Sequence, residues 1–180
     1  MTTLIALSGA LRAGSTNTLL AREAARVFGA DQFALGDLNL PLYDGDLEAA
    51  SGLPEGVTRL ASQIQAADAV IISTPEYNGG IPGVLKNALD WISREEFKPF
   101  AGKPVAIMSA AAGRAGGARA QYALRLALVA FGPRIVNGPE VAVASSGKAF
   151  DSDGILQDEF AAKLLGQLMD SLKAEVARTA

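Results

Sequence analysis

The stretch from Ala69 to Ser93, AVIISTPEYNGGIPGVLKNALDWIS, constrains the fold more than any other part of the chain. Ala69 to Ser73, with Val70, Ile71 and Ile72 at its centre, shows no polar alternation, which predicts a strand buried on both faces of a parallel sheet. Thr74 to Gly80 ends that strand. Pro75 removes a donor and fixes φ, and Gly79 and Gly80 permit φ > 0 and the close approach of a ligand. Pro82 suits a first helical turn, and Ile81, Leu85, Ala88, Leu89 and Ile92 recur at helical spacing to bury one face. Glu76, Tyr77 and Asn78 therefore sit at the carboxyl end of a central strand, where open α/β sheets bind ligands.

The rest of the chain repeats this alternation. Thr3 to Ser8 is a first, central strand, and a small-residue loop leads from it into a helix with Leu20, Ala24, Val27 and Phe28 on its apolar face. Gln32 to Leu35 reads as a second, short strand. Gly36 to Gly56 reads as a turn-rich connection punctuated by Pro41, Gly45, Gly52 and Pro54, with Leu38, Leu40, Leu42 and Tyr43 pinning it to the body. Leu60, Ile64 and Ala67 mark an amphipathic helix ending near Asp68. Pro104 to Ser109 is the next buried strand. The loop Ala110 to Gly117 then opens a helix with Tyr122, Leu126 and Val129 on one face. Ile135 to Ser145 supplies a fifth strand, interrupted at Gly138-Pro139, and Gln157 to Ala177 a closing helix with Phe160, Leu164, Leu168 and Leu172 four apart. Five strands alternating with five helices through right-handed crossovers predict an α/β, doubly wound parallel sheet of order 2-1-3-4-5 with helices on both faces. With no linker dividing it, residues 1–180 read as a single domain.

Composition narrows the chemistry. The chain has neither His nor Cys, which removes thiol nucleophiles, disulfides, the usual zinc sites, Ser-His-Asp triads and imidazole acid–base work. Demanding chemistry then falls to a cofactor, to carboxylates or to an oxygen-ligated metal. The acidic residues Asp37, Asp44, Asp46 and Glu48 fit no Ca²⁺-loop spacing and read as solvated loop charges, so no metal site is expected. A net charge of -3 argues against nucleic-acid or anionic-membrane partners. No apolar run reaches the length of a membrane span, and no basic leader precedes the first strand, so a cytoplasmic location is expected. The apolar fraction, 49% of residues, is high enough to suggest a covered subunit interface.

Three loops carry the functional signal. Ser8 to Thr18 is dense in small residues and hydroxyls, contains Arg12, and precedes a helix N-terminus, whose unpaired N–H groups and positive dipole make a phosphate cradle. Arg12 adds a charged fork, and Ser15, Asn17 and Thr18 add short donors; Ser15 or Asn17 acting only as a helix cap is the plainer alternative. The loop lacks the Lys-Ser/Thr ending of a Walker loop, the GxGxxG spacing of a dinucleotide fold and the Cys of a phosphatase loop, which leaves phosphate binding without phosphate chemistry. In the order 2-1-3-4-5 this loop meets Pro75 to Asn78 at the crevice between strands one and three, with Ser109 to Gly113 alongside. A ligand with a phosphate at one end and a flat polar ring system at the other satisfies all three. FMN is such a ligand.

The segments SGALRAGSTN (Ser8 to Asn17), PEYNGGIPGVLKNALDW (Pro75 to Trp91) and SAAAGRAGGARAQ (Ser109 to Gln121) closely resemble the NAD(P)H-dependent FMN reductase family of flavodoxin-like proteins, which includes chromate, quinone and azo-dye reductases. The resemblance implies a flavodoxin-like fold, FMN as cofactor, NADPH or NADH as co-substrate, and a homodimer or homotetramer whose subunits help enclose the flavin. By the same resemblance Arg12, Ser15, Asn17 and Thr18 hold the phosphate; Pro75, Glu76, Tyr77 and Asn78 run along the isoalloxazine; and Ser109 and Gly113 flank the ring. Ala10 stands where the family often has Ser, which implies one hydroxyl contact fewer, and Ala110 to Ala112 stand where it often has Ser or Gly. The implied activity is ping-pong hydride transfer from NAD(P)H through FMN to a small-molecule acceptor: a quinone, chromate, an azo compound or flavin. No side chain is expected to act as a catalytic acid or base, and protons come from water. The alternative is a flavodoxin-type electron carrier or a redox-sensing FMN-binding protein without NAD(P)H turnover.

Overall fold

The computed structural model describes residues 1–178. Strands β1 (Thr3–Ser8), β2 (Gln32–Gly36), β3 (Ala69–Thr74), β4 (Pro104–Ala110), β5 (Arg134–Ile135) and β6 (Ala142–Val143) form one sheet in which every pairing is parallel. The order is β2-β1-β3-β4-β5, with β6 also on β4. The register sets Ser8 opposite Ser73 and Thr74 opposite Ser109, so the three central strands end level and release their loops side by side.

Among the described residues six helices flank the sheet: α1 (Thr16–Phe28), α2 (Gly45–Ser51), α3 (Glu55–Ala66), α4 (Gly83–Ile92), α5 (Ala118–Leu128) and α6 (Glu159–Ala177). The period-2 pleat divides the apolar runs of the central strands between two cores. Leu4, Ala6, Ile71 and Met108 pack under α1 and α6, while Ile5, Leu7, Val70, Ile72 and Ile107 pack under α3, α4 and α5. Both faces of β1, β3 and β4 are covered, which is why these strands show no polar alternation. Among the described residues no helix is long and apolar enough to cross a membrane.

Five local expectations change. The stretch read as a continuous connection contains α2, begun by Asp44, whose side chain accepts from the Asp46 N–H, and ended by Gly52; no residue of it is buried, so hydrophobic periodicity does not reveal it. The fifth strand is two short pieces, because 136–141 leaves the ladder around Gly138 and Pro139 and returns as β6. In α5 the buried residues are Ala120, Gln121, Leu124 and Leu128, and the predicted stripe of Tyr122, Leu126 and Val129 points outward. In α6, capped by Asp158, the buried residues are Leu165, Leu168, Met169 and Leu172, and Phe160 is exposed. Leu42 is likewise exposed and pins nothing. Its loop is held instead through Pro41 O, which accepts from Asn87 Nδ2 at 2.9 Å and Trp91 Nε1 at 2.8 Å.

Candidate functional site

The first loop starts at Gly9, packed close against β3. A Cβ there would lie 3.1 Å from Thr74 Oγ1 and from Pro75 Cδ, a tight contact that would push those atoms back by a few tenths of an ångström, and the Gly9 N–H donates to Ser73 O at 2.8 Å. Beyond it, the N–H groups of 10–14 donate to no protein group among the described residues. Ser15 caps α1, its Oγ accepting from the Asn17 N–H at 3.2 Å, and the first turn of the helix holds no acidic residue. Ser8 Oγ and Thr18 Oγ1 share a hydrogen bond of 2.8 Å. Ser8, Ala10, Arg12, Thr18, Gly36 and Asp37 are among the residues lining a groove of about 320 Å³ here. Arg12 is exposed and, among the described residues, has no acidic partner. The Asp37 carboxylate is turned onto its own chain, accepting from the Asn39 N–H at 2.9 Å.

The Asn17 side chain, expected at the phosphate, is engaged by the protein itself. The residue is 2% exposed, and its Oδ1 accepts from Ser73 Oγ at 2.9 Å and from the Ala110 N–H at 2.9 Å. Its Nδ2 donates to Ala110 O at 2.8 Å. The amide is thus a strut that ties the start of α1 to the ends of β3 and β4.

The second loop is a hairpin turn. Tyr77 and Gly80 exchange backbone hydrogen bonds of 3.0 and 3.1 Å, and Asn78 (φ 52) and Gly79 (φ 77) between them both take positive φ, the type I′ geometry that Asn-Gly favours. Pro75 is buried, Tyr77 and Asn78 are exposed at the tip, and the N–H groups of Glu76, Asn78 and Gly79 have no protein acceptor among the described residues. Glu76 is turned toward α5. Its Oε1 accepts from Arg119 Nη1 at 3.1 Å and its Oε2 from the Arg119 backbone N–H at 3.2 Å.

The third loop runs from Ala111 to Gly117. Gly116 (φ 57) passes so near β6 that a Cβ would stand 2.4 Å from the Ala142 carbonyl atoms. Ser109, expected to flank a ring, turns its side chain inward: Oγ donates to Gly116 O at 2.7 Å and accepts from Gln121 Nε2 at 2.8 Å. Gln121 also donates to Val141 O at 2.9 Å, which explains a buried glutamine on α5. Gly113 lies exposed on the loop, and the N–H groups of 112–115 are unpaired among the described residues. Of the residues singled out from sequence, Arg12, Ser15, Thr18, Pro75, Glu76, Tyr77, Asn78 and Gly113 stand on these loops or at the head of α1, whereas the side chains of Asn17 and Ser109 brace them from within. Gln121 and Arg119 were not singled out as site residues; SAAAGRAGGARAQ contains both, but nothing local marks either side chain as a brace.

No group of three or more acidic residues among those described is placed to hold a metal ion. The site instead offers backbone donors on three adjoining loops, with a guanidinium at one end. Those donors fit a phosphate on the first loop and a flat ring with carbonyl and ring-nitrogen acceptors against the other two. A parallel sheet of this order, with its ligand-facing loops at the carboxyl edge, defines a flavodoxin-like fold.

Residues 2–148 match the model of the NADPH-dependent FMN reductase family, and the chain belongs to that family. It is 45% identical over 177 residues to an NAD(P)H-dependent FMN reductase of Pseudomonas aeruginosa, covering 97% of this chain and 95% of the relative. It is 46% identical over 140 residues to a quinone reductase of Escherichia coli, covering 76% and 74% of the two chains. Among solved structures it superposes on the flavoenzyme NAD(P)H:(acceptor) oxidoreductase FerB of Paracoccus denitrificans with a TM-score of 0.88 at 33% identity, over 99% of this chain and 98% of that one. The protein is an oxidoreductase with FMN as cofactor and NAD(P)H as co-substrate.

Proposed function

We propose that this chain, a single flavin-binding domain, oxidises NAD(P)H and reduces a small acceptor of the quinone type by a ping-pong cycle in which both substrates use one ring face in turn. The observation that carries the reading is the run of unpaired N–H groups at 10–14 beside Arg12 at the head of α1. When bound, FMN would supply two-electron chemistry, accepting a hydride equivalent from the nicotinamide and handing a hydride equivalent on to the acceptor, with one further proton per cycle taken from water.

The chain's own residues bind and orient. Arg12 and the N–H groups of 10–14 hold the phosphate, joined by the hydroxyls of Ser15 and Thr18. The N–H groups of Glu76, Asn78, Gly79 and 112–115 face the ring, and their fixed dipoles favour negative charge there. With no His or Cys in the chain, no imidazole or thiol is at hand to carry a proton. The relatives named as quinone and acceptor reductases support a quinone as acceptor; chromate, azo compounds and free flavin are the other acceptors to assay. The exposed Tyr122, Leu126 and Val129 on α5 support a contact between copies of this chain in a homodimer or homotetramer. A cytoplasmic setting, where NAD(P)H is plentiful, goes with this reading.

The test is the visible absorption of FMN-reconstituted protein under anaerobic conditions, with NADPH and then NADH added, followed by a quinone. Rapid bleaching by a nucleotide and recovery with the quinone is expected. Flavin that binds but stays oxidised overturns the turnover, and protein that binds no flavin overturns the site.

A further inference from the structure

Helix α5 begins behind Gly117, whose left-handed backbone (φ 89) carries no side chain, so the helix has no cap of its own. Glu76 supplies one from the neighbouring loop through the Arg119 N–H, and the Arg119 guanidinium takes its other oxygen. The Glu76 side chain is 14% exposed and that of Arg119 72%, so the carboxylate is the buried half of the pair and is aimed at the helix rather than at the crevice. Its position has a second consequence. The Tyr77–Gly80 pair closes the tip of the second loop on itself, and the Glu76 carboxylate ties the base of that loop to the head of α5. The same helix head ends the third loop, so one side chain fixes two rows of unpaired N–H groups against each other.

We propose that Glu76 is a positioning residue for the flavin: by capping α5 across the gap between loops 75–80 and 111–117, it holds the ring-facing donors of both at one spacing before the cofactor arrives. Preorganised donors need no rearrangement on binding, and loose ones lose affinity to the ordering they then require. The proposal rests on the flavin site described above.

The experiment titrates FMN into flavin-free protein by fluorescence and follows amide hydrogen exchange of the same samples. Glu76→Ala removes both hydrogen bonds and raises the Kd for FMN about tenfold, the size of a lost cap. It also speeds exchange at 76–80 in the flavin-free protein. Glu76→Gln keeps an oxygen for the Arg119 N–H and returns the Kd to within about threefold of wild type. Glu76→Asp keeps the charge but is one methylene too short, and it behaves as Ala; it serves as the test should the Ala variant fail to fold. A cap that serves only helix stability lowers the melting temperature without moving the Kd, and that result overturns the proposal while leaving the flavin site intact. Gln as impaired as Ala overturns it as well, since charge rather than the hydrogen bond would then be responsible. Wild-type protein that binds no FMN overturns both readings.

Discussion

The two edges of the sheet treat their polar groups in opposite ways. At the amino edge, donors meet acceptors from the chain itself. The Thr3 N–H donates to Asp68 Oδ2 at 2.7 Å and the Thr2 N–H to Asp31 Oδ2 at 2.6 Å, while Lys103 Nζ donates to the carbonyls of Gln65 and Ala67 at the end of α3. At the carboxyl edge the N–H groups of 10–14 and 112–115 have no protein partner among the described residues. Backbone donors are left open in this way only where water or a ligand can meet them. The contrast also runs within the carboxyl edge: Asn17 and Ser109, behind the loops, are fully engaged, and the donors in front of them are free. The site is a set of open donors on a closed frame.

The largest expected effect comes from breaking the frame where backbone meets backbone. Gly116→Val combines a positive φ with a Cβ driven into the Ala142 carbonyl, and it should lower stability by about 4 kcal/mol or more in chemical denaturation. A variant of wild-type stability would show that the third loop is not held against β6. Next is Asn17→Ala, which leaves Ser73 Oγ and both backbone groups of Ala110 without their partner; a loss of about 3 kcal/mol is expected from the same measurement. Arg12→Ala tests the open donors instead. Stability should stay within about 0.5 kcal/mol while the Kd for FMN rises about tenfold, a rise that shrinks as salt is added. Unchanged affinity would remove Arg12 from the phosphate site.

Two smaller effects sharpen the contrast through pH. At the amino edge, burial lowers the Lys103 pKa, opposed in part by Asp68, so the unfolded chain holds this proton more tightly than the folded one. Stability then rises with pH on approach to the ordinary lysine range near 10.4. Lys103→Met should lose that rise, together with about 1 kcal/mol of helix-end hydrogen bonding. On α2, the Arg94 guanidinium, with help from the Tyr43 hydroxyl, holds the Glu48 carboxyl below its usual range. That contribution is present at neutral pH and is lost as pH falls through the acid range. Glu48→Gln should flatten the acid limb of a stability profile slightly, and a slope equal to wild type would assign that limb to other carboxyls.

Several features were legible without the tertiary structure because their cause is local. Val70, Ile71 and Ile72 announce a doubly buried strand, and Pro75 with Gly79 and Gly80 announce its end. Ser15 before α1 announces the helix start, and it caps the helix through the Asn17 N–H. Features that failed were those where two local solutions compete. Helix α5 has two apolar stripes, and the sheet takes Leu124 and Leu128 rather than Leu126 and Val129, because Gln121 on the inward side is engaged by Ser109 and Val141. Helix α2 buries nothing, so its capping by Asp44 leaves no hydrophobic trace.

By itself, the sequence determined the order of the strands along the chain, the three loops at their ends and, through the lack of His and Cys, a chemistry dependent on a cofactor. These follow from runs of a few residues whose burial or backbone freedom is set by their own composition. Only the tertiary structure decided which polar side chains are free and which are braces. Asn17 and Arg12 read alike as donors in one loop, yet Asn17 is engaged by Ala110, 93 positions away, and Glu76 by Arg119, 43 positions away. A hydrogen bond between such distant residues leaves no period or motif in the chain, because its geometry exists only once the parallel sheet has brought the strand ends level.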